Sequence, residues 1–328
     1  MTEFKSILKV ELSDFLSLRQ VSKSKNTYDH DRHTLRIFDE YLISIDCNSK
    51  HLNEDQVTGW IRTLEGKSSS IANVIIVIRL FLENLKSYGI NTFIPPIPKV
   101  RDDYVPYIFS DNEMIRIFSI ADSLQKAKPV KNTFIHHEFP MILRLMYGCG
   151  LRAGETLSLK MKNIDLDIGV LILENTKCDK QRFVPMHYSL NNILERYCIA
   201  MGIISYPDAN LFPTIELTEP VSVHNAQHKL NYILKQADIS LAGKKKHQRG
   251  PCMHCLRHVF VFKSFRNAEN AGRRINDAIP YLSIYLGHDS LKETEKYLKF
   301  SNELFPEAME LFEAYTATVF PEVNYDGE

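Results

Sequence analysis

The sequence has no excess charge of either sign: 40 Lys and Arg balance 40 Asp and Glu over 328 residues. Net charge therefore gives no argument for a polyanionic partner. No long uninterrupted apolar run is present. The most apolar stretch, Ile71 to Leu85, is broken by Asn73, Arg79 and Glu83 and is too short to span a bilayer. The opening MTEFKSILKVELSDF lacks the apolar core of a signal peptide. A cytoplasmic protein with reduced thiols and no membrane partner is expected. The six cysteines, at 47, 149, 178, 198, 252 and 255, show no repeated spacing. Cys252 and Cys255 form a lone CxxC. A structural zinc would need two more ligands at suitable spacing, so despite nearby histidines zinc is not the favoured reading. P-loop, acidic metal cluster, internal repeat and low-complexity segment are all missing, and no cofactor is expected.

What is present is ordinary in bulk: 44% apolar and 24% charged residues describe a globular protein, and the length implies two domains. The charge is unevenly distributed. Leu241 to Ile275 carries nine Lys or Arg against one acid, Glu269, whereas Ser301 to Glu328 carries seven acids and no base. That asymmetry fits a basic working surface and an acidic tail, although two differing solvated faces would read the same way.

The first part reads as helices only. Val10, Leu12, Phe15 and Leu16 share one helical face. Tyr28, Leu35, Phe38, Leu42 and Ile45 share another, opened by Asn26 or Thr27 as N-cap. Val57, Trp60, Ile61 and Leu64 mark a short third helix, and Ser68 to Ser70 precede a fourth. IPPIPKVRDDYVP follows, and its prolines exclude a helix. Residues 1–92 are thus expected to form a helical domain, 93–106 a linker and 107–300 a second domain, with 301–328 an acidic tail helix. In the second domain Ser110 or Asp111 caps a helix through Ile120. Phe139, Ile142, Leu143 and Met146 form a buried stripe ending at Gly148 and Gly150. Gly169 to Thr176 and Arg182 to Met186 predict a β-hairpin with Pro185 on an edge strand. Helices follow near 189–201, 222–237, 253–268, 276–286 and 290–298. The fold class is mainly α with a small β-hairpin.

Four motifs carry chemistry. In GCGLRAGETLSL, Arg152 follows a glycine-marked break and Glu155 lies one turn on. In HCLRH, His254 and Arg257 are three apart and share a helical face. In YLGHDS, His288 follows a helix-ending glycine. In KETEKYLKF, Tyr297 comes nine residues after His288. Taken singly, these read as a surface ion pair, a solvated helix face and a packed tyrosine.

Their order changes that reading. An Arg, a hairpin lysine, HxxR, LGH and then a Tyr nine residues later resembles the tyrosine recombinases, which include phage integrases, Xer-type recombinases and transposon-encoded members. The resemblance is strong over residues 143–160 and 254–299 and only architectural over 1–100. It implies an N-terminal core-binding clamp and a catalytic domain. It also implies Tyr297 as nucleophile, with Arg152, Lys177, His254, Arg257 and His288 around the phosphate and Glu155 orienting the site. The hairpin lysine in TKCDKQRFVP is Lys177 by the family pattern, with Lys180 the alternative. Cys149 stands where relatives often carry Thr, a departure that concerns packing.

The chemistry asks for the same residue types. Opening a strand while keeping its phosphodiester energy requires a covalent nucleophile. A phenol of pKa near 10 needs a cationic site and a proton acceptor. Two guanidiniums suit the non-bridging oxygens of the transition state, and histidines suit proton handling. The resemblance further implies a 3′-phosphotyrosine with a free 5′-hydroxyl and double-stranded DNA bearing inverted-repeat core sites. A homotetramer on that DNA, with accessory DNA-bending or element-encoded proteins as further partners, is also implied. Lys244, Lys245, Lys246 and Arg249 are expected to meet the DNA backbone. The tail stripe Leu304, Ala308, Leu311, Phe312 and Tyr315 is expected to dock on a neighbouring protomer. Mobile-element integration or transposition is the favoured role, with Xer-like chromosome-dimer resolution the alternative. A single-strand topoisomerase, a catalytically idle DNA-binding accessory protein and an acidic-protein-binding module are the rival readings.

Overall fold

The structure, a computed structural model, describes residues 4–100, 106–124, 134–174, 181–214, 219–242 and 250–297. The chain divides into two compact units, Met1–Asp103 and Tyr104–Glu328.

The first unit holds four helices: α1 (Lys9–Ser22), α2 (Lys25–Ser44), α3 (Glu54–Arg62) and α4 (Ser68–Ser87). Their apolar stripes converge on Phe38, which meets Trp60 edge-on at 5.0 Å and Phe81 at 6.4 Å between ring centroids. The cap of α2 is Ser24, whose hydroxyl accepts the Thr27 N–H, ahead of the Asn26 or Thr27 that the sequence suggests. Asn53 and Gln56 close a reciprocal capping box on α3. Ser68 to Ser70 form the first turn of α4 and do not precede it. Helix α4 is long and apolar enough to cross a membrane, but it buries Ile75, Ile78, Phe81, Leu82 and Leu85 in this unit's own core.

The second unit is built on α6 (Ile135–Cys149), which packs against α5 (Asp111–Asp122), α8 (Tyr188–Ala200) and α10 (His254–Asn270). Between α6 and α8 run α7 (Ala153–Leu157), a single 3₁₀ turn and strands β1 (Ile164–Asp165), β2 (Val170–Leu173) and β3 (Arg182–Pro185). The strands form one antiparallel sheet in the order β1-β2-β3, with Leu171 opposite Val184 and Leu173 opposite Arg182. Two-residue β1 carries no periodic signal of its own and was not legible in the sequence. Period-two alternation puts Arg182 on the same face as fully buried Val184, pointing this cation inward. Then come α9 (Val223–Gln236), α10, α11 (Ile275–Leu286) and the short α12 (Leu291–Glu295). Tyr285 of α11 stacks on Phe260 of α10 and donates to the Pro185 carbonyl, tying α11 to the hairpin.

One buried group conflicts with this core. Glu138, in the first turn of α6, is wholly buried, and neither carboxylate oxygen has a hydrogen-bond partner. Burial pushes its pKa up from 4.5 to about 8. Below about pH 4.5 the folded and unfolded chains both carry the proton. Between 4.5 and 8 only the folded chain keeps it, so stability falls as pH rises across that window. The fall is ~1.4 kcal/mol for each pH unit crossed. Glu138→Met is therefore expected to stabilise the protein by a few kcal/mol at pH 8, and far less at pH 4.5. Urea midpoints at the two pH values check this; an equal gain at both would mean that the carboxyl does not retain its proton.

Candidate active site

Two glycine turns shape the site. Helix α6 ends at Gly150 in the left-handed region (φ 63°), and a Cβ there would sit 2.4 Å from the Phe260 ring. The turn aims the Gly150 carbonyl at α10 and delivers Arg152 as the N-cap of α7. Helix α11 ends the same way at Gly287 (φ 65°), where a Cβ would lie 2.6 Å from Arg182 Nη1.

Glu155 is the anion between two cations. Its Oε2 accepts the Arg152 backbone N–H at 2.9 Å, and its Oε1 accepts Arg152 Nη1 at 2.8 Å. Arg182 adds a bidentate fork at 2.9 and 2.8 Å. Burial alone would raise the Glu155 pKa, but the bonds from Arg182 and Arg152 outweigh it and hold it at about 2. Arg152 also donates through Nη2 to the Gly287 carbonyl at 3.3 Å, joining the two turns.

Arg257 is 1% exposed. Its Nη1 donates to the Gly150 carbonyl at 2.8 Å, and its Nη2 donates to the Leu286 carbonyl and to His288 Nε2, both at 2.9 Å. Arginine can only donate, so His288 Nε2 is an acceptor. The ring proton is then on Nδ1, which donates to buried Thr294 Oγ1 at 2.6 Å. Burial and then the guanidiniums of Arg257 and Arg152 lower the His288 pKa to about 4, so the ring is neutral near pH 7. Burial also lowers Arg257 itself to about 10, leaving it charged at that pH.

Tyr297 is 7% exposed and lies among Phe262, Leu286 and Val261. Its hydroxyl is 3.1 Å from Nδ1 of buried His258, one turn beyond His254 on α10. Burial raises the phenol's pKa, while Arg257, by charge and by a hydrogen bond, and then Arg152 lower it. Burial followed by His254 and Arg257 lowers His258 to about 3. In the tautomer with its proton on Nε2, this neutral ring accepts the phenolic hydrogen. His254 is the solvent-facing member, edge-on to His258 at 4.7 Å between centroids. Desolvation and then Arg257 and Arg152 bring it to about 4. Among the described residues, with the three imidazoles neutral, the guanidiniums of Arg152, Arg182 and Arg257 stand around the Glu155 carboxylate.

The structure thus gathers Arg152, Glu155, His254, Arg257, His288 and Tyr297 around one pocket. His254 and Arg257 share a helix but not an environment, since one faces solvent and the other is buried. Lys177, Lys180, Lys244, Lys245, Lys246, Arg249 and the tail stripe lie outside the described residues. Three contributors went unread in the sequence: Arg182, His258 and Thr294. His258 closes HCLRH and Arg182 opens RFVP, so both sat inside quoted motifs. Among the described residues no group of three or more His, Cys, Asp or Glu is placed to hold a metal ion.

An arginine-lined pocket with a buried tyrosine on a mainly helical unit defines a class. The phage integrase family matches residues 109–303, more than half of the chain, and the chain belongs to that family. It is a tyrosine-type site-specific recombinase. "Putative integrase/recombinase y4rB" of Sinorhizobium fredii is 29% identical over 294 residues, covering 86% of this chain and 91% of that protein. Tyrosine recombinase XerC of Staphylococcus carnosus is 25% identical, covering 72% and 73%. Among solved structures, XerH recombinase bound to its palindromic difH substrate matches with TM-score 0.64 at 16% identity, over 92% of this chain and 84% of that one. A lambda integrase dimer bound to a COC′ core site matches with TM-score 0.63 at 15% identity, over 86% and 94%. At such identities these likenesses establish the fold.

Proposed function

We propose that this recombinase cuts and rejoins double-stranded DNA through a 3′-phosphotyrosyl intermediate on Tyr297, and that it serves a mobile element. The observation that carries the reading is the Tyr297 hydroxyl, held between a neutral imidazole and the charged Arg257. A scissile phosphate entering beside Arg152 and Arg257 meets donors already fixed by Glu155, Gly287, Gly150 and Leu286. Those donors need no reorganisation as charge builds on the phosphoryl oxygens. The same positive field favours the phenolate, and His258 Nδ1 is the nearest acceptor for its proton. His254 donates to a non-bridging oxygen, while His288, its one proton held by Thr294, braces Arg257 through Nε2. Lys177, with Lys180 the alternative, protonates the departing 5′ oxygen. Attack by a 5′-hydroxyl from another strand reverses the chemistry on a new partner.

The N-terminal unit is proposed as a core-binding clamp on the DNA, and four protomers as the working assembly on paired core sites. Relatives and structural neighbours named as integrases, or solved on core-site DNA, support this reading. A relative named as an integrase/recombinase fits the mobile-element role, and the relatives named XerC keep chromosome-dimer resolution as the alternative. The test is a nicked suicide duplex carrying the inverted repeats that flank the gene. A denaturation-resistant protein–DNA band whose DNA-linked peptide contains Tyr297 is expected. Binding without that band would support an idle accessory protein instead.

The basic segment gives a separate expectation. Its cations neutralise phosphates, so affinity should fall steeply with salt. Replacing Lys244, Lys245 and Lys246 with Ala should flatten the slope of log affinity against log salt by up to about three units, one for each phosphate left without its lysine. Titrations from low to high salt measure it; an unchanged slope would place these lysines away from DNA.

A further inference from the structure

The CxxC that precedes the buried arginine is not used by the chemistry above. Cys252 and Cys255 are both thiols, the first half-buried and the second 1% exposed. Their sulfurs lie 3.6 Å apart, and Cys255 Sγ also accepts the Cys252 N–H at 3.3 Å. Cys255 N–H donates to the Cys252 carbonyl at 2.9 Å, so the turn is already closed through backbone and side chain. Cys255 lies in the first turn of α10, where the hydrogen bond with Cys252 and then burial push its pKa up and keep it a thiol. Between the two cysteines are Met253, anchored by its N–H to Gln227 Oε1 at 2.9 Å, and His254.

We propose that Cys252 and Cys255 form a reversible disulfide under peroxide, and that this bond switches off strand cleavage by displacing His254. The proposal rests on the recombinase reading of the same pocket. The more accessible Cys252 thiolate attacks one peroxide oxygen. The O–O bond breaks, an S–O bond forms, and the released hydroxide takes up the proton that the Cys252 thiol gave up, so that water leaves with the sulfenic acid in place. The Cys255 thiol then attacks that sulfur, and its proton passes to the departing hydroxyl oxygen. The S–S bond forms, the S–O bond breaks, and a second water departs with both thiol protons accounted for. Two electrons have passed from the sulfurs to the peroxide. Two exchanges with a dithiol reverse the reaction.

A disulfide needs its sulfurs at ~2.05 Å, so this 3.6 Å pair must draw together. The contraction falls on the turn that carries His254 while Gln227 holds Met253. His254 lies in ring contact with His258, the partner of the nucleophile, so it cannot move without disturbing the acceptor of the Tyr297 proton. Displacements of about 1 Å in such constellations cost on the order of 10²-fold in rate.

The full-length protein is treated with hydrogen peroxide, then split into portions with and without dithiothreitol. Each portion is assayed on the nicked suicide duplex and mapped by peptide mass after alkylation. In the wild type, the peptide holding residues 252–255 should lose two hydrogens and resist alkylation. Cleavage should fall at least about tenfold and return with dithiothreitol. Cys252→Ser and Cys252→Ala are both made, so a defect peculiar to one substitution does not decide. Each should cleave like the reduced wild type and ignore peroxide. Absence of the 252–255 bond, a formed bond with unchanged cleavage, or equal inhibition of the Cys252 variants would each overturn the switch. If the reduced wild type makes no covalent adduct, the recombinase reading itself fails; the mass readout keeps that result distinct from a disulfide that does not form.

Discussion

Tyr297→Phe is expected to abolish the covalent DNA adduct while leaving the fold and DNA binding in place. The change removes one oxygen from a side chain packed by Phe262 and Leu286, and those ring contacts persist. It also removes the hydrogen bond to His258 Nδ1, which costs about 1 kcal/mol in a buried setting. That is small against typical domain stability, so circular dichroism and the binding isotherm should match the wild type. The adduct has no such tolerance, because the Tyr297 oxygen is the one placed between His258 and Arg257. The nearest tyrosines offer poor substitutes. Tyr281 is 77% exposed on α11, and the Tyr285 hydroxyl is directed to the Pro185 carbonyl, with its pKa raised by burial. A denaturation-resistant adduct from the Phe variant would move the nucleophile elsewhere and undo the reading of the pocket.

Much of this pocket was legible from spacing. Arg152, His254, Arg257, His288 and Tyr297 occur in one order along the chain, and the helix signals around them survive in the structure within a residue or two at most ends. Less legible were partners that meet only through the fold. Arg182 reaches Glu155 across 27 residues, and His258 reaches Tyr297 across 39, so neither pair has a local signature. Arg182 opens β3, which is an edge strand as expected, and its inward side follows only from the register that sets it opposite buried Leu173. The shared helical face of His254 and Arg257 was correct as geometry but silent on burial. Packing against α6 and α11 sinks Arg257 and leaves His254 at the rim. The cap of α2 falls earlier than its sequence suggests because Ser, Asn and Thr all satisfy the same propensity, and only the backbone decides which bonds.

Arg257 and Arg152 should separate the cost of losing a catalytic cation from the cost of unfolding its surroundings. Either one replaced by Ala should reduce cleavage by orders of magnitude, since losing one preorganised donor to a developing oxyanion costs roughly 3 kcal/mol or more. Their effects on stability should differ. Arg257 is buried and satisfies the Gly150 carbonyl, the Leu286 carbonyl and His288 Nε2. Its removal strands three acceptors, each carrying a penalty of about 1–3 kcal/mol, and frees the turns after α6 and α11 from each other. Arg152 is partly exposed, and when it is lost Glu155 keeps both bonds from Arg182. Arg152→Ala should thus leave the urea midpoint nearly unchanged, whereas Arg257→Ala should lower it clearly. Arg257→Lys retains the charge but cannot reproduce the fork that spans Nη1 and Nη2, so it should recover some stability and little cleavage. Binding to a single core site should weaken far less than cleavage in the Arg152 variant, because many phosphate contacts share that load. Midpoints, binding isotherms and single-turnover cleavage rates on the three variants decide the matter. If cleavage loss merely tracks binding loss, or if Arg257→Lys cleaves at the wild-type rate, these guanidiniums act as general phosphate contacts, and transition-state stabilisation must come from elsewhere in the pocket.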